Sequence, residues 1–319
     1  MSKSLIQRRL DPLGAGSDLH ERALFARILA SRGVGSCDEL DLGFGGLLPP
    51  SGLLGAREAA ALLASAMSRN QRILVVGDFD ADGATSVTLF VSCMGAFGYD
   101  VQYLVPNRFD YGYGLTPEIV EVATQYGPDL IVTVDNGIAS HAGIDLAKAK
   151  GWQVLVTDHH LPAETLPNAD VIVNPNQPDC AFQSKALAGV GVIFYVLLAL
   201  RAFLRDQAWF EAKGIAEPNL AEFLDLVALG SVADVVPLDR NNRILVEQGL
   251  RRMRSGIMRP GIQALLEVAN KSWRTLVAQD LGFAVGPRIN AAGRLDDISV
   301  GIRCLLSRDV FEARELANR

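Results

Sequence analysis

The chain has 319 residues, 49% of them hydrophobic and 21% charged, which is enough to bury one large core or two smaller ones. Its formal net charge of −6 argues against a protein that coats nucleic acid through bulk electrostatics, although a local basic patch would be compatible with it. The four cysteines lie far apart without a CxxC pair, so neither a disulfide framework nor a zinc knuckle is indicated, and a reducing cytoplasm is expected.

The first segment, residues 1–52, is interpreted as an N-terminal extension. Glycines break it at three places and Pro49 and Pro50 stand near its end, a composition typical of irregular structure with one short helix. His20 has no acidic cluster beside it and is expected on the surface. We therefore expect no chemistry in this extension.

From Arg72 onward, short apolar runs alternate with segments of helical length. The runs cover 72–77, 101–105, 129–134, 152–157 and 171–173. Strands that alternate with helices form a parallel sheet, and continuous apolar runs indicate strands that are covered on both faces. The sequence therefore predicts an α/β fold, a doubly wound parallel sheet flanked by helices.

Beyond Lys185 the pattern becomes helical. Helices are predicted at 185–205, 219–232 and 241–254. A glycine- and proline-rich segment, 282–293, crosses between the helices, and residues 310–319 again have helical composition. The sequence thus predicts a helical C-terminal portion after the sheet.

Neither membrane insertion nor export is expected. The longest apolar run, 188–200, is too short to span a bilayer of about 30 Å. No basic stretch followed by an apolar one opens the chain, so a secretory signal is not indicated.

Polar side chains follow the predicted strands at the points where they end, and one more ends a later apolar helix. These groups are Asp78, Asp80, Asp82, Asp135, Asp158, His159, His160 and Asp234. Ligands of open α/β sheets bind outside the carboxyl ends of the strands. Carboxylate oxygens and imidazole nitrogen without thiolate suit Mn²⁺ or Mg²⁺, and two ions about 3.5–4 Å apart can clamp both oxygens of a phosphoryl transfer. The sequence therefore predicts a two-metal centre for phosphodiester hydrolysis.

Individual roles follow from position. Asp135 is our candidate for the carboxylate that bridges the ions, with Asp80 and Asp82 on opposite ions because alternate residues of a loop point apart. On an extended loop the rings of His159 and His160 diverge, so we assign His159 as a metal ligand and place His160 toward the substrate, where it holds a phosphate oxygen or protonates the leaving group. Without cations, carboxylates this close would repel one another strongly.

Two other interpretations of the first acidic turn are less favourable. The spacing of Asp78, Asp80 and Asp82 matches the start of a calcium-binding EF-hand loop, but position 12 of that loop would need Glu and is Leu89. An apolar strand followed by DxD is also found in haloacid-dehalogenase-type phosphatases, where Thr usually occupies the position of Asp82. For a single carboxylate, a position in a solvated loop without function is the alternative. That alternative does not explain the whole set of acidic residues.

Eight strings of the sequence support a family resemblance. Four of them, GDFDADG (77–83), VDNG (134–137), TDHH (157–160) and SVADVVPL (231–238), resemble the DHH phosphoesterase superfamily. Four more, PNRFDYGYGL (106–115), NPNQ (174–177), LAGVGV (187–192) and GPRINAAGRLDD (286–297), are similar to its bacterial single-strand-specific 5′→3′ DNA exonucleases. The resemblance covers about residues 50–319.

The resemblance implies a role for each matching residue. The metal ligands it implies are Asp80, Asp82, Asp135, His159 and Asp234, with Asp78 and Asp158 supporting them at the same metal site. It implies that His160 is the catalytic histidine, to which we add Asp158 and Arg288 as catalytic residues. It places Asn107 and Arg108 beside the nucleic-acid path and Asn290 with Arg288 near the reacting phosphate, for which the planar fork of arginine is suited. For either arginine, a structural ion pair is the alternative.

Basic residues beyond these strings offer another surface for nucleic acid. They are Arg251, Arg252, Arg254 and Arg259. A solvated helix face is the alternative for this group.

The expected domain organisation is an extension at 1–52 and a catalytic domain at 53–319 that ends in a connector helix. The exonucleases that the chain resembles continue into a second, DHH-associated domain and an oligonucleotide-binding fold, and we expect neither in this sequence. We therefore expect the chain to be the catalytic part alone. Grip on DNA and selection of the 5′ end would then depend on those two further domains.

The resemblance implies an Mn²⁺- or Mg²⁺-dependent exonuclease that acts on single-stranded DNA from the 5′ end, releases 5′-mononucleotides and serves DNA repair and recombination. Expected partners are single-stranded DNA and a single-strand-binding protein or a helicase. One alternative is a DHH phosphoesterase of short oligoribonucleotides or bisphosphorylated nucleosides. Another is a replication scaffold that keeps the fold without catalysis.

Overall fold

A five-stranded parallel sheet organises the structure, a computed structural model that describes residues 23–105, 112–295 and 298–319. Its strands are β1 (Ile73–Gly77), β2 (Gln102–Leu104), β3 (Leu130–Val134), β4 (Gln153–Thr157) and β5 (Val171–Val173). They lie in the order β2-β1-β3-β4-β5, and every neighbouring pair is parallel. All five strands fall within the predicted runs, so the predicted fold class is confirmed.

The sheet separates two hydrophobic cores, which is why its strands are apolar at consecutive positions. Val75 and Val132 face the larger core, whereas Leu74 and Ile131, their neighbours along the strands, face the smaller one. All four side chains are buried, because successive residues of a strand point to opposite faces.

The helices surround this sheet. They are α1 (Ala23–Ala30), α2 (Ala56–Ser68), α3 (Ala81–Ala96), α4 (Pro117–Ala123), α5 (His141–Ala149), α6 (Gly189–Asp206), α7 (Trp209–Lys213), α8 (Leu224–Ala233), α9 (Arg240–Arg254), α10 (Pro260–Val268), α11 (Ala278–Asp280), α12 (Gly286–Leu295), α13 (Ser299–Leu306) and α14 (Val310–Asn318). Short 3₁₀ helices occur at Cys37–Leu40, Phe44–Gly46, Pro50–Gly52, Thr124–Tyr126, Leu220–Phe223 and Trp273–Thr275, and a π-helix covers Leu281–Val285.

Helices cover both faces of the sheet, as a doubly wound fold requires. Helices α2, α3, α6 and α8 contribute to the larger core, and α4 and α5 to the smaller one. Helix α8 is apolar around most of its circumference and packs against α3, α6 and α9, which is typical of a buried helix. This packing brings the last turn of α8 next to the first turn of α3.

The segment 282–293, expected as a glycine- and proline-rich crossing, is instead helical. It continues from the π-helix into α12. Pro287 is the second residue of α12, which begins directly after the π-helix. Gly293 lies so close to β1's turn that a Cβ there would be 2.2 Å from the carbonyl oxygen of Phe79. Close packing therefore accounts for that glycine, which the composition alone presents as a helix breaker.

The described part of the N-terminal extension, 23–52, lies along α9. The Leu48 N–H donates to Asn241 Oδ1 (3.1 Å), and Gln248 donates to the carbonyl of Leu42 (2.6 Å). The single α-helix expected in the extension is α1, while His20 lies outside the described residues. Across the described ranges, every helix falls short of the length or the apolarity that crossing a bilayer would need.

Candidate metal centre

The predicted acidic residues gather at the carboxyl ends of the central strands. The order of the strands reverses between β1 and β3, which is where open α/β sheets form their ligand-binding crevice. Asp78 directly follows β1, Asp135 follows β3 and Asp158 follows β4. Asp234 reaches the same place from the end of α8.

The first acidic turn is the beginning of a helix. Asp80 is the N-cap of α3, and its Oδ1 accepts from the Gly83 N–H (2.9 Å). Asp82 lies in the first turn of that helix. The two carboxylates do separate, as expected, but the expected reason, that they are alternate residues of a loop, was wrong. They diverge because one caps the helix and the other points from its first turn.

Asp82 is held by the N-terminus of α6. Its two carboxylate oxygens accept from the backbone N–H groups of Gly189 (2.6 Å) and Val190 (2.9 Å), groups that a helix leaves without internal partners. Gly230 of α8 packs on the same side chain, since a Cβ there would be 2.9 Å from Asp82 Oδ1. Small residues thus let two helices close around this carboxylate.

Asp135 occupies a tight turn at the centre of the cluster. Its φ of +62° is in the left-handed region, which Asp tolerates better than most residues, and its side chain is buried. The next residue, Asn136, fixes the turn by donating to the carbonyl of Val76 on β1 (3.2 Å). A Cβ at Gly189 would lie 2.5 Å from Asp135 Oδ1, so α6 also begins directly against this carboxylate.

His159 points into the cluster. Its Nε2 lies 3.2 Å from Asp135 Oδ1 and 3.5 Å from Asp234 Oδ2. Although buried, both Nε2 and Asp135 Oδ1 lack a hydrogen-bond partner in the described part of the chain. The Nε2 atom is thus aimed at the carboxylates of Asp135 and Asp234 without a partner to satisfy it.

His160 is bound to Asp158. Asp158 Oδ1 accepts from the backbone N–H groups of His159 (2.7 Å) and His160 (3.1 Å) and pairs with His160 Nδ1 (2.7 Å). Its Oδ2 accepts from the Ile138 N–H (2.9 Å). These bonds curl the segment, so the two imidazole centroids are only 4.4 Å apart. The expectation of an extended loop with diverging rings was wrong.

Three overlapping groups of side chains have ligand atoms within 4.8 Å of one another. They are Asp78, Asp80 and Asp135; Asp82, His159 and Asp234; and Asp135, His159 and His160. Only oxygen and imidazole nitrogen are offered, the donor set of Mn²⁺ and Mg²⁺ sites. With orphaned, buried donor atoms at their centre, the residues fit a pair of divalent cations.

The electrostatics of the cluster point the same way. Burial, with the neighbouring Asp80, raises the pKa of Asp78 to about 7, and burial raises that of Asp234 to about 6. Burial and nearby carboxylates raise the pKa of Asp82 and of Asp135 well above the usual range. Burial lowers the pKa of His159 to about 4, so its ring is neutral and available as a ligand. Without cations, this cluster of carboxylates resists full ionisation.

His160 has the opposite character. Its hydrogen bond to Asp158 raises its pKa to about 9. Burial alone would raise the pKa of Asp158, but hydrogen bonds from His160 and Ile138 outweigh it and lower that pKa below the usual range. The pair therefore carries an imidazolium beside a buried carboxylate at neutral pH.

The residues expected at the nucleic-acid path are placed less fully. Asn107 and Arg108 lie outside the described residues. Arg288 is exposed on α12, where its guanidinium donates to the carbonyl of Ala284. Asn290 Oδ1 accepts from the Ala81 N–H (2.7 Å), which ties α12 to the beginning of α3. Contacts of these residues with nucleic acid stay predictions.

The other basic residues are largely engaged within the protein. Arg251 and Arg254 pair with Glu247 at 2.8 and 3.6 Å. Arg259 pairs with the buried Asp225 at 3.4 Å. These pairs fit a structural role for the arginines better than a nucleic-acid path.

Three residues near the histidines were not singled out from the sequence. The Tyr113 ring packs edge-on against Phe79 and His160, and its hydroxyl lies 3.3 Å from His160 Nδ1. Asn174 and Asn176 donate to the backbone carbonyls of the two histidines. The strings PNRFDYGYGL and NPNQ contain all three residues, but nothing in their spacing indicates which side chain meets a histidine.

The model of the DHH family, N-terminal domain, matches residues 72–231. The single-stranded-DNA-specific exonuclease RecJ of Dickeya dadantii is 61% identical over 297 residues, and that of Escherichia coli is 58% identical over 319. These matches cover 93% and 99% of this chain but 52% and 55% of the relatives, so the chain spans about half their length. The crystal structure of RecJ in complex with Mn²⁺ from Thermus thermophilus has a TM-score of 0.74 and 36% identity, over 92% of this chain and 40% of that one.

Proposed function

The chain belongs to the DHH family, and from that premise we propose that it is the catalytic part of a metal-dependent exonuclease that hydrolyses single-stranded DNA from the 5′ end and releases 5′-mononucleotides. The main support is the pair of orphaned donor atoms, His159 Nε2 and Asp135 Oδ1, at the centre of a buried cluster of carboxylates. The similarity to two single-stranded-DNA-specific exonucleases supports the substrate class.

Two groups of residues would hold the ions, Mn²⁺ or Mg²⁺. Asp78, Asp80 and Asp135 form one group. Asp82, His159 and Asp234 form the other, and Asp135, close to His159, would serve both. When bound, the two cations supply Lewis-acid stabilisation of the charge that develops on the phosphate.

The chain's own residues supply the remaining chemistry. His160, protonated beside Asp158, is half exposed and can donate a proton or a hydrogen bond to a phosphate oxygen or to the leaving 3′ oxygen. Asp158 holds that ring through Nδ1, and Nε2, 3.5 Å from the Tyr113 hydroxyl, would face the substrate. Arg288, exposed on α12, can pair with phosphate oxygens through its planar fork.

The biological setting is part of the same proposal. We place the activity in DNA repair and recombination in the cytoplasm, with single-stranded DNA as the substrate and a single-strand-binding protein or a helicase as the protein partner. The similarity to single-stranded-DNA-specific exonucleases supports the substrate in this proposal. Since those relatives are about twice as long, grip on DNA and selection of the 5′ end are properties to be measured on this chain itself.

A direct test is cleavage of a single-stranded oligonucleotide labelled at its 5′ or its 3′ end, with Mn²⁺, Mg²⁺ or EDTA. We expect the 5′ label to appear as a mononucleotide in the first turnover, the 3′ label to stay on shortening strands, and EDTA to stop both reactions. Binding should weaken with salt, with about −0.7 in the slope of log K against log salt for each phosphate contacted.

Three other results would lead away from this proposal. Cleavage of a dinucleotide or a 3′,5′-bisphosphorylated nucleoside but not of the long strand would favour a phosphoesterase of small substrates. Shortening from the 3′ end would contradict the polarity. Neither cleavage nor Mn²⁺ binding by correctly folded protein would favour a non-catalytic scaffold.

A further inference from the structure

The loop after β5 carries three amide side chains that all donate to backbone carbonyls. Asn174 Nδ2 donates to the carbonyl of His160 (2.9 Å), and Asn176 Nδ2 to that of His159 (2.7 Å). Gln177 Nε2 donates elsewhere, to the carbonyls of Leu54 (3.1 Å) and Ile172 (3.2 Å). Two of the three amides therefore hold the histidine pair, and the third holds the base of α2 and β5.

The two asparagines are themselves fixed in place. Asn174 is completely buried, and its Oδ1 accepts from the Asn176 N–H (2.7 Å). Asn176 also donates to the carbonyl of Lys185 (3.2 Å), whose ammonium group in turn donates to the carbonyls of Pro175 and Cys180 (2.6 Å each). The two asparagines are thus held by hydrogen bonds to each other and to Lys185 that do not involve the histidines.

With these bonds, the backbone of the histidine pair is held from both sides. The N–H groups of His159 and His160 donate to Asp158, and their carbonyls accept from Asn176 and Asn174. The direction of each ring follows from the orientation of its backbone, so a rotated peptide plane would move Nε2 of His159 away from Asp135. Such outer contacts set the position of groups that bind metal.

We propose that Asn174 and Asn176 are positioning residues that aim the two imidazoles by clamping their backbone carbonyls, Asn176 acting on the metal-facing His159 and Asn174 on the substrate-facing His160. The assignment of one histidine to the metals and the other to the substrate rests on the proposed function. The clamp itself rests only on the hydrogen bonds.

Matched substitutions isolate the donated hydrogen bond at each position. Asn174→Asp, Asn176→Asp and Gln177→Glu replace the donating NH₂ by oxygen and keep the shape of the side chain. Asn174→Ala, Asn176→Ala and Gln177→Ala remove the side chain without adding charge. An effect that both changes share at one position comes from the lost donor, and Gln177 controls for general loosening of the loop.

The first readout is hydrogen–deuterium exchange of the full, metal-free chain. We expect both kinds of substitution at Asn174 and Asn176 to speed exchange in segment 158–161 at least about tenfold relative to β3, and those at Gln177 to change it less than twofold. An unchanged segment 158–161 in folded Asn174 and Asn176 variants, or equal acceleration by the Gln177 variants, would overturn the clamp. If an alanine variant does not fold, the Asp or Glu variant at the same position provides the test.

The second readout separates the two asparagines. Mn²⁺ titrations followed by electron paramagnetic resonance should show a dissociation constant about 10–100-fold higher for the Asn176 variants, the range typical for outer contacts of metal ligands. For the Asn174 variants the constant should stay within threefold, while kcat on single-stranded DNA falls about 10-fold or more with little change in KM. Equal effects of both positions on Mn²⁺ binding would contradict the division of roles.

Failure of the proposed function would be recognised separately. A wild-type chain that neither binds Mn²⁺ nor cleaves single-stranded DNA would contradict that function. The exchange experiment contains no metal and no DNA, so its result supports or overturns the clamp in either case.

Discussion

His159 Nε2 and Asp135 Oδ1 lie 3.2 Å apart, buried, and form no hydrogen bond with each other. With a pKa lowered to about 4, the His159 ring is neutral, and a ring nitrogen without a proton is an acceptor, as a carboxylate oxygen is. Two acceptors at this distance repel each other unless a cation or a proton lies between them.

Replacing Asp135 by Asn should remove the shared ligand charge with little change to the turn, because Asn tolerates the φ of +62° at this position. We expect Mn²⁺ binding to weaken and exonuclease activity to fall by about 100-fold or more, at or beyond the range for outer contacts of a metal site. Without metal, the variant should be at least as stable as the wild type, since one of several crowded carboxylates has lost its charge. Mn²⁺ titration, single-turnover cleavage and thermal melting in EDTA measure the three effects.

The control for this change is Asp145→Asn, which removes a charge from an exposed position on α5. It should leave all three measurements as in the wild type. Near-normal manganese-dependent cleavage by the Asp135→Asn variant would rule out the central role of Asp135.

The stability of the metal-free chain should rise as the pH falls from 8 to 6. The pKa values of Asp78 and Asp234 are raised from 3.8 to about 7 and about 6, so the folded state binds their protons more tightly than the unfolded state. A carboxyl group whose pKa is raised in the folded state does not affect stability below its unfolded-state pKa. It destabilises the fold increasingly as the pH rises from that value through its folded-state pKa. The lowered pKa of His159 acts oppositely but only below its ordinary value of 6.5, at the bottom of this window.

Mn²⁺ competes with these protons, so a fixed concentration should raise the melting temperature more at pH 8 than at pH 6. Scanning fluorimetry in EDTA and in Mn²⁺ at both pH values measures the difference. In the Asp135→Asn variant, both the pH dependence of the melting temperature and its increase with Mn²⁺ should be smaller. The same shift by Mn²⁺ at pH 6 and pH 8 would mean that binding does not displace protons from this cluster.

Much of the architecture could be predicted from local patterns in the sequence. Three of the strands, β1, β3 and β4, are apolar runs with an acidic residue directly after them, and both signals are local, so β1 and Asp78 could be recognised together. The gathering of carboxylates followed from topology, because parallel strands present their carboxyl ends at one edge.

The details that could not be predicted depend on contacts between distant parts of the chain. Asp82 is held by backbone N–H groups more than 100 residues away in sequence, and no local pattern reports such a partner. The curl of His159 and His160 depends on three hydrogen bonds to one oxygen of Asp158. Likewise, Gly293 is explained by a neighbouring carbonyl and not by flexibility.

Replacing Asp158 by Asn should lower the pKa of His160. The hydrogen bond to Asp158 is the main cause that raises this pKa to about 9, and burial of the ring acts against it. With a neutral amide in its place, we expect the ring to titrate near or below its ordinary value of 6.5, so that it is mostly neutral at pH 7.5. Nuclear magnetic resonance titration of the imidazole Cε1 proton in metal-free protein measures this directly.

The pH dependence of activity should shift in the same direction as the pKa of His160. If the imidazolium of His160 assists the reaction, the alkaline limb of the pH–rate profile should move to lower pH in the Asp158→Asn variant. Glu121→Gln on α4, which removes an exposed carboxylate paired with Lys150, serves as the control. An unchanged His160 titration in folded Asp158→Asn protein would contradict the assigned pair.

A last pair of substitutions tests how closely α6 packs on the cluster. Gly189→Ala would put a Cβ 2.5 Å from Asp135 Oδ1, so the helix or the carboxylate must move. We expect a loss of about 1–3 kcal/mol in the free energy of unfolding, as for other overpacked sites, together with weaker Mn²⁺ binding. The matched control is Gly95→Ala in α3, where a Cβ meets nothing within 4 Å and should stabilise the helix by about 0.5–1 kcal/mol. Urea unfolding of both variants without metal gives the two free energies, and a Gly189→Ala protein as stable as Gly95→Ala, with normal Mn²⁺ binding, would show that α6 does not confine the carboxylate.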